Sequence, residues 1–145
     1  MSVPEHLWRF PTRAAIDALS LRFGLANDPA MQDWEWQVAD ADRIDEFVAA
    51  LETDGLSEDE RFTLMEIVLQ SFEELSAPLE LDQRWKRILE ILDQNVSLHG
   101  HSIWYWSCLD VEDPTDWWRV TPYMRSILGK HRAEMEGFPL AGVPS

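Results

Sequence analysis

Apolar residues recur at helical spacing over much of this 145-residue sequence. The clearest run follows Pro78, where every third or fourth position carries a large apolar side chain: Leu81, Trp85, Ile88, Leu92 and Val96. A period of 3.6 residues places such positions on one face of an α-helix, and that face must be buried against another element. The spacing therefore predicts an amphipathic helix over 81–96 and a core built mainly from helices.

A wider apolar stripe predicts a central helix just before this one. Ser57 followed by Glu60 matches a capping box, in which two side chains satisfy backbone N–H groups of the first helical turn. The stripe that follows has two rows of apolar residues: Phe62, Met65, Leu69 and Phe72, with Leu64, Val68 and Leu75. The same spacing predicts three further helices, over 12–23, from Asp40 or Asp42 to residue 51, and over 121–136.

Three shorter segments have strand-like patterns. Trp34, Trp36 and Val38 alternate with polar residues, which is the period of a half-buried strand. Residues 99–109 are aromatic enough for a strand and short enough for a buried helix, and residues 117–120 fit a brief strand. We predict a mainly α fold with about five helices and two or three short strands, and an α+β fold as the alternative.

The length of the chain predicts a single domain, and its cysteine content predicts a cytoplasmic location. A mass of 16.9 kDa suits a single globular domain over 1–136. The remaining residues, 137–145, contain two Gly and two Pro and are expected to form either a tail or a strap laid over the body. No apolar run is long enough to span a membrane, and residues 1–10 lack a signal-peptide pattern. The single Cys108 cannot form an internal disulfide, so we expect a reducing cytoplasmic location.

The charge is strongly negative and unevenly distributed. The chain has 27 acidic against 12 basic residues, a net charge of −15, so nucleic acid and anionic membranes are unfavourable partners. Residues 28–60 hold twelve acids against Arg43 alone. Eight of these acids form a candidate docking patch for a basic protein: Asp40, Asp42, Asp45, Glu46, Glu52, Asp54, Glu58 and Asp59. The alternative is a solvated face that maintains solubility.

Four of the eight tryptophans are further candidates for partner binding. Trp34, Trp36 and Trp85 fit core positions, whereas the four candidates flank the acidic turn 110–116: Trp104, Trp106, Trp117 and Trp118. Aromatic side chains beside charged residues are typical of binding hot spots. The alternative is that these four tryptophans pack the core.

The sequence contains little that predicts catalysis. His99 and His101 would share one face of a strand, so they are weak candidates for metal binding, but a metal site needs a third or fourth ligand. Cys108 lies in an apolar run, where burial would make its thiol unreactive. Known phosphate-binding, hydrolase and metalloprotease motifs are missing. We therefore predict no catalytic residue and no cofactor.

Residues 98–127 resemble a known class of small proteins. The segment reads His99-x-x-Ser102-Ile103-x-Tyr105-Trp106-Ser107, then an acidic loop, then Val120-Thr121-Pro122-x-Met124-Arg125. This is similar to small acidic bacterial proteins of poorly defined role, some of which look like immunity proteins, the inhibitors that bacteria make against secreted or contact-delivered toxins. The resemblance implies a cytoplasmic bacterial protein that binds its partner stoichiometrically and performs no catalysis.

Three functional hypotheses follow. The first is a non-catalytic acidic protein that docks on and occludes a basic partner, with an immunity protein against a bacterial toxin as its specific form. The second is a scaffold protein that forms a homo-oligomer through the tryptophan-rich region 104–118. The third is a metal-dependent enzyme that uses His99 and His101.

Overall fold

The computed structural model describes residues 3–136, and this part of the chain is helical. It contains eight α-helices: α1 (Arg13–Phe23), α2 (Trp34–Gln37), α3 (Ile44–Leu51), α4 (Glu58–Glu74), α5 (Gln83–Gln94), α6 (Val96–Trp106), α7 (Thr121–Lys130) and α8 (Arg132–Met135). Short 3-10 turns accompany them at Glu5–Leu7, Ala41–Arg43, Leu79–Leu81 and Pro114–Asp116. The mainly α prediction is confirmed, and the prediction of about five helices is too low. One reason is that the helical geometry is interrupted at His131, which divides the predicted last helix into α7 and α8.

The predicted short strands are wrong, because residues 3–136 contain no strand. Trp34 begins α2, where its indole N–H donates to the carbonyl of Ala26 at 2.6 Å and its ring is 4% exposed. Residues 99–106 belong to α6, so the helical alternative for that segment is correct, and residues 117–120 form an irregular lead into α7. A lone strand has no neighbouring strand to form hydrogen bonds with its backbone N–H and C=O groups. A helix forms these hydrogen bonds within itself.

The chain groups into two compact units, with the division inside α5 between Trp85 and Lys86. We call residues 10–85 the first unit, and residues 1–9 together with 86–145 the second unit. The prediction of one domain over 1–136 stays a prediction. The predicted tail at 137–145 lies outside the described residues.

Helix α4 is the centre of the first unit. Ser57 Oγ accepts from the Glu60 N–H at 3.1 Å, and the Ser57 N–H donates to Glu60 Oε1 at 2.9 Å, so the predicted capping box is present. All residues from Phe62 to Leu69 are buried, and α1, α2 and α3 pack against this helix. Burial of one large apolar side chain contributes about 2 kcal/mol, so α4 supplies much of the core of this unit. The prediction of a central helix is confirmed.

In the second unit, α6 packs against α7 and α8. The segment before residue 9 also lies on these helices, because the His6 ring is 2.8 Å from the carbonyl oxygen of Met135. Gly100 allows this close approach: a Cβ there would be 3.0 Å from Leu7 Cδ2. Helix α7 begins at Thr121 with a proline in its first turn, as predicted. Within residues 3–136, no helix combines the length and the apolar character needed to cross a membrane.

Candidate functional site

The negative charge of the chain belongs almost entirely to the first unit. Residues 10–85 contain 18 acidic residues and five arginines, a net charge of −13. The second unit contains nine acidic and seven basic residues, a net charge of −2. The surface of the first unit is therefore the place where an electrostatic partner would be recognised.

The five arginines of the first unit are all engaged within it. Four of them donate to oxygen atoms: Arg13 to Asp17 at 2.9 Å, Arg43 to Glu46 at 2.8 Å, Arg61 to the carbonyl of Leu51 at 2.8 Å, and Arg84 to Asp82 at 2.7 Å. The fifth, Arg22, lies 5.7 Å from the centre of the Phe23 ring. Since the cations are engaged in this way, the excess of carboxylates dominates the surface of this unit.

The eight predicted acids lie at the two ends of α3 and at the start of α4. All are exposed except Asp40, which is half-buried. Helix α3 has eight residues and rises about 12 Å, so its two ends are close together. Arg61 of α4 also donates to the carbonyl of Thr53, and this bond holds the loop after α3 beside the first turn of α4. The loop that carries Glu52 and Asp54 therefore lies beside the first turn of α4, which carries Glu58 and Asp59.

Several of these acids have structural roles. Asp40 Oδ1 accepts from the Asp42 N–H at 2.9 Å and so caps the turn before α3. Glu46 accepts from Arg43, and this hydrogen bond holds the pKa of Glu46 below its usual range. Asp45 pairs with Arg84 at 3.1 Å. Because the fold itself uses these acids, their presence is not evidence that the patch binds a partner.

Three other acids of the patch lack a cationic partner within residues 3–136. Asp42, Asp54 and Glu58 are exposed, and no lysine, arginine or histidine between residues 3 and 136 forms an ion pair with them. Glu58 is nevertheless favoured in the first turn of α4, where the helix dipole stabilises negative charge. For Asp42 and Asp54, therefore, neither an ion pair nor the dipole of α4 gives a structural reason for an acidic residue at that position.

The structure separates the four candidate tryptophans into two pairs. Trp104 and Trp106 are 3% and 2% exposed, so they belong to the core and cannot anchor a partner at the surface as predicted. Trp118 is half-buried and its ring lies 4.6 Å from that of Trp106. Trp117 is also half-buried, and its indole N–H donates to the carbonyl of Val111 at 2.7 Å. None of the four belongs to the unit that carries the acidic patch.

The prediction that His99 and His101 share one face is wrong, because both lie on α6. Two residues along an α-helix correspond to a rotation of about 200°, so the rings point to opposite sides. His99 is 1% exposed, and His101 stacks on Tyr105 with 6.3 Å between ring centres. No group of three or more histidine, cysteine or acidic residues within the described part of the chain is arranged to hold a metal ion.

Sequence reasoning missed the role of Arg125. Its guanidinium donates to the carbonyls of Ser107 at 2.7 Å, Cys108 at 2.8 Å and Val111 at 3.0 Å, and it lies 3.9 Å from the centre of the Trp117 ring. Arg125 thus fixes the loop that follows α6. Because its acceptors are backbone carbonyls, which every residue possesses, no side-chain pattern could have indicated this role.

A cluster around His131 was also missed. His131 Nε2 lies 2.7 Å from Asp93 and its Nδ1 lies 2.6 Å from Glu134, while Lys130 donates to Asp93 at 2.8 Å. The hydrogen bond to Asp93, followed by that to Glu134, raises the pKa of His131. Asp93 precedes His131 by 38 residues, so no local motif marks the cluster.

Comparisons of the chain with protein-family models, with curated proteins and with solved structures find no match. The resemblance of residues 98–127 to immunity-type proteins therefore stays a prediction. A functional proposal must depend on the geometry and charge of the described residues.

Proposed function

We propose that this chain is a non-catalytic binding protein whose first unit docks on a basic protein partner. The observation that carries the proposal is the net charge of −13 on residues 10–85, where each arginine is already engaged. The acids around α3 and the start of α4 are the contact surface. Asp42, Asp54 and Glu58 supply carboxylates that can pair with lysine or arginine of the partner.

Charge complementarity would act mainly on the rate of association. A field of one sign steers a basic partner toward the patch and disfavours acidic competitors. Each exposed ion pair adds only about 0.2–1 kcal/mol to affinity, so the patch acts through several pairs together. Since the Debye length at physiological salt is about 8 Å, binding through exposed carboxylates weakens as salt concentration rises.

The resemblance to immunity-type proteins suggests the class of partner. It implies a bacterial toxin as the basic protein, and occlusion of the toxin as the effect of binding. This more specific form of the proposal is based on residues 98–127 and on the acidic composition.

The two alternative functions stay predictions. A homo-oligomer that assembles through the region 104–118 would have to use Trp117 and Trp118, which are half-buried, because Trp104 and Trp106 are core residues. A metal-dependent enzyme was expected to use two histidines on one face, but the helical geometry directs His99 and His101 to opposite sides. No specific observation favours either alternative over the docking proposal.

Matched charge-reversal variants test the proposal. The patch variant carries Asp42→Lys, Asp54→Lys and Glu58→Lys. The control variant carries Glu5→Lys, Glu112→Lys and Asp116→Lys, which are exposed acids of the second unit. Both variants change the net charge by the same amount, so they separate the effect of the patch from that of total charge.

The readout is capture from a lysate of the source cells at low and high salt, followed by titration of the purified captured protein. We expect the wild-type and control proteins to retain one basic protein that high salt releases. The patch variant should lose that protein while its circular dichroism stays unchanged. Equal retention by both variants would show that the patch is only a solvated face.

A further inference from the structure

Leu81 lies at the surface of the first unit, although its place in the apolar pattern predicted a buried position. It is 75% exposed, because it belongs to the 3-10 turn Leu79–Leu81 and α5 begins only at Gln83. Leu79 of the same turn is 3% exposed and occupies the core instead. A single exposed leucine is ordinary on a protein surface, so its surroundings decide whether it has a function.

The side chain of Leu81 forms one wall of an open cavity of about 490 Å³ in the first unit. Three apolar and three polar residues line this cavity: Ala77, Pro78, Leu81, Asp82, Gln83 and Arg84. The apolar members are all exposed and are close together in the chain, so they form one apolar surface. A concave surface of this kind can receive an apolar group of a binding partner.

The polar side of the cavity is held in place by hydrogen bonds. Asp82 Oδ1 accepts from the backbone N–H of Arg84 at 2.8 Å, and the Arg84 guanidinium donates to Asp82 Oδ2 at 2.7 Å. The same guanidinium donates to Asp45 at 3.1 Å and lies 5.9 Å from the centre of the Phe72 ring. Because Asp45 is one of the eight acids of the patch, the cavity adjoins the patch.

The charge around the cavity favours one kind of occupant. Residues 73–85 contain four acids against one arginine, a net charge of −3: Glu73, Glu74, Glu80, Asp82 and Arg84. Glu80 is exposed beside Leu81, and no cation between residues 3 and 136 forms an ion pair with it. An apolar group with positive charges beside it is therefore complementary. A second copy of this chain is disfavoured, because its first unit carries the same net charge of −13.

We propose that this cavity is an anchor site for the basic protein partner and receives one large apolar side chain that is flanked by lysine or arginine residues. The proposal rests on the docking function proposed for the first unit and adds the chemistry of the segment that docks. A buried apolar anchor slows dissociation, whereas exposed ion pairs mainly accelerate association. The cavity and the patch therefore have separable effects on binding.

Two pentapeptides test the anchor site on the full-length protein. Each is acetylated and amidated and has two lysines on either side of a central residue, which is phenylalanine in one peptide and serine in the other. NMR titration at low salt follows the methyl groups of Leu81 and the side-chain amide of Gln83, which both line the cavity. We expect the dissociation constant of the phenylalanine peptide to be at least threefold lower, with larger shifts of the Leu81 methyl resonances.

Two exposed leucines of the first unit provide matched variants. Leu81→Ser should remove the preference for the phenylalanine peptide. Leu21→Ser should keep the preference, because Leu21 is 88% exposed on α1 and does not line the cavity. A preference that survives in Leu81→Ser would overturn the site. A concentration-dependent dimer of the wild-type protein that is lost in Leu81→Ser would assign the cavity to a second copy of the chain instead.

Failure of the anchor site can be distinguished from failure of the docking function. Equal affinity of the wild-type protein for the two peptides, or no binding of either, would refute the anchor site and leave the charge-reversal test of the patch unaffected. Equal retention of the captured protein by the two charge-reversal variants would refute the docking function itself. Circular dichroism of Leu81→Ser and Leu21→Ser checks that both variants fold.

Discussion

At the scale of single residues, His131 is held by two carboxylates at once. A neutral imidazole has only one N–H, so the His131 ring donates to both ionised carboxylates, Asp93 and Glu134, only when it is an imidazolium. These hydrogen bonds raise the pKa of His131 in the folded chain. Because the folded pKa exceeds the unfolded value of about 6.5, the stabilisation is complete below that value and is lost as pH rises through the folded pKa.

We therefore predict that replacing His131 removes a pH-dependent part of the stability. The wild-type protein should exceed His131→Gln in free energy of unfolding by about 1 kcal/mol at pH 5.5, and the difference should shrink as pH rises to 8.5. Urea unfolding at several pH values measures this difference. Glu134→Gln is the control, since it keeps the bond to Asp93 and should lower the pKa of His131 only in part. Parallel pH profiles for wild type and His131→Gln would contradict the assignment.

At the scale of elements, the first unit depends on how α4 begins. Ser57→Ala removes the hydroxyl that accepts from the Glu60 N–H, and loss of such a cap costs about 1 kcal/mol. We expect urea unfolding to show this loss. Ser76→Ala, in the exposed segment after α4, is the matched control and should change stability by less than about 0.5 kcal/mol. A similar effect in both variants would show that the capping box does not stabilise the unit.

The helices also show which parts of the fold can be predicted from sequence. Apolar periodicity predicts helices α4 and α5, because a helix that buries one face needs apolar residues at helical spacing along that face. The prediction of a strand from Trp34 to Val38 is wrong because alternation over five residues is too short to distinguish a strand from one helical turn. The sequence alone could group the eight candidate acids, because they lie on or next to two helices that follow one another along the chain. The contacts of Arg125 could not be predicted from the sequence, since they join a side chain to backbone carbonyls.

At the scale of the whole molecule, the unequal charge of the two units should affect stability. A net charge of −13 on residues 10–85 gives self-repulsion that salt screens. We predict that raising NaCl from 20 to 500 mM increases the Tm of the wild-type protein by a few degrees in calorimetry. The increase should be smaller for the triple lysine variant of the patch than for the control triple variant of the second unit. Equal increases would mean that the repulsion is spread evenly over the chain.

The second unit is discontinuous in sequence, and this has a consequence for the order of synthesis. His6 meets Met135 across 129 residues of chain, and Leu7 lies beside Gly100 of α6. A ribosome synthesises residues 10–85 before it synthesises α6. The first unit can therefore fold while His6 and Leu7 still lack the helices against which they pack. His6 and Leu7 are thus synthesised before the first unit but reach their native neighbours after it.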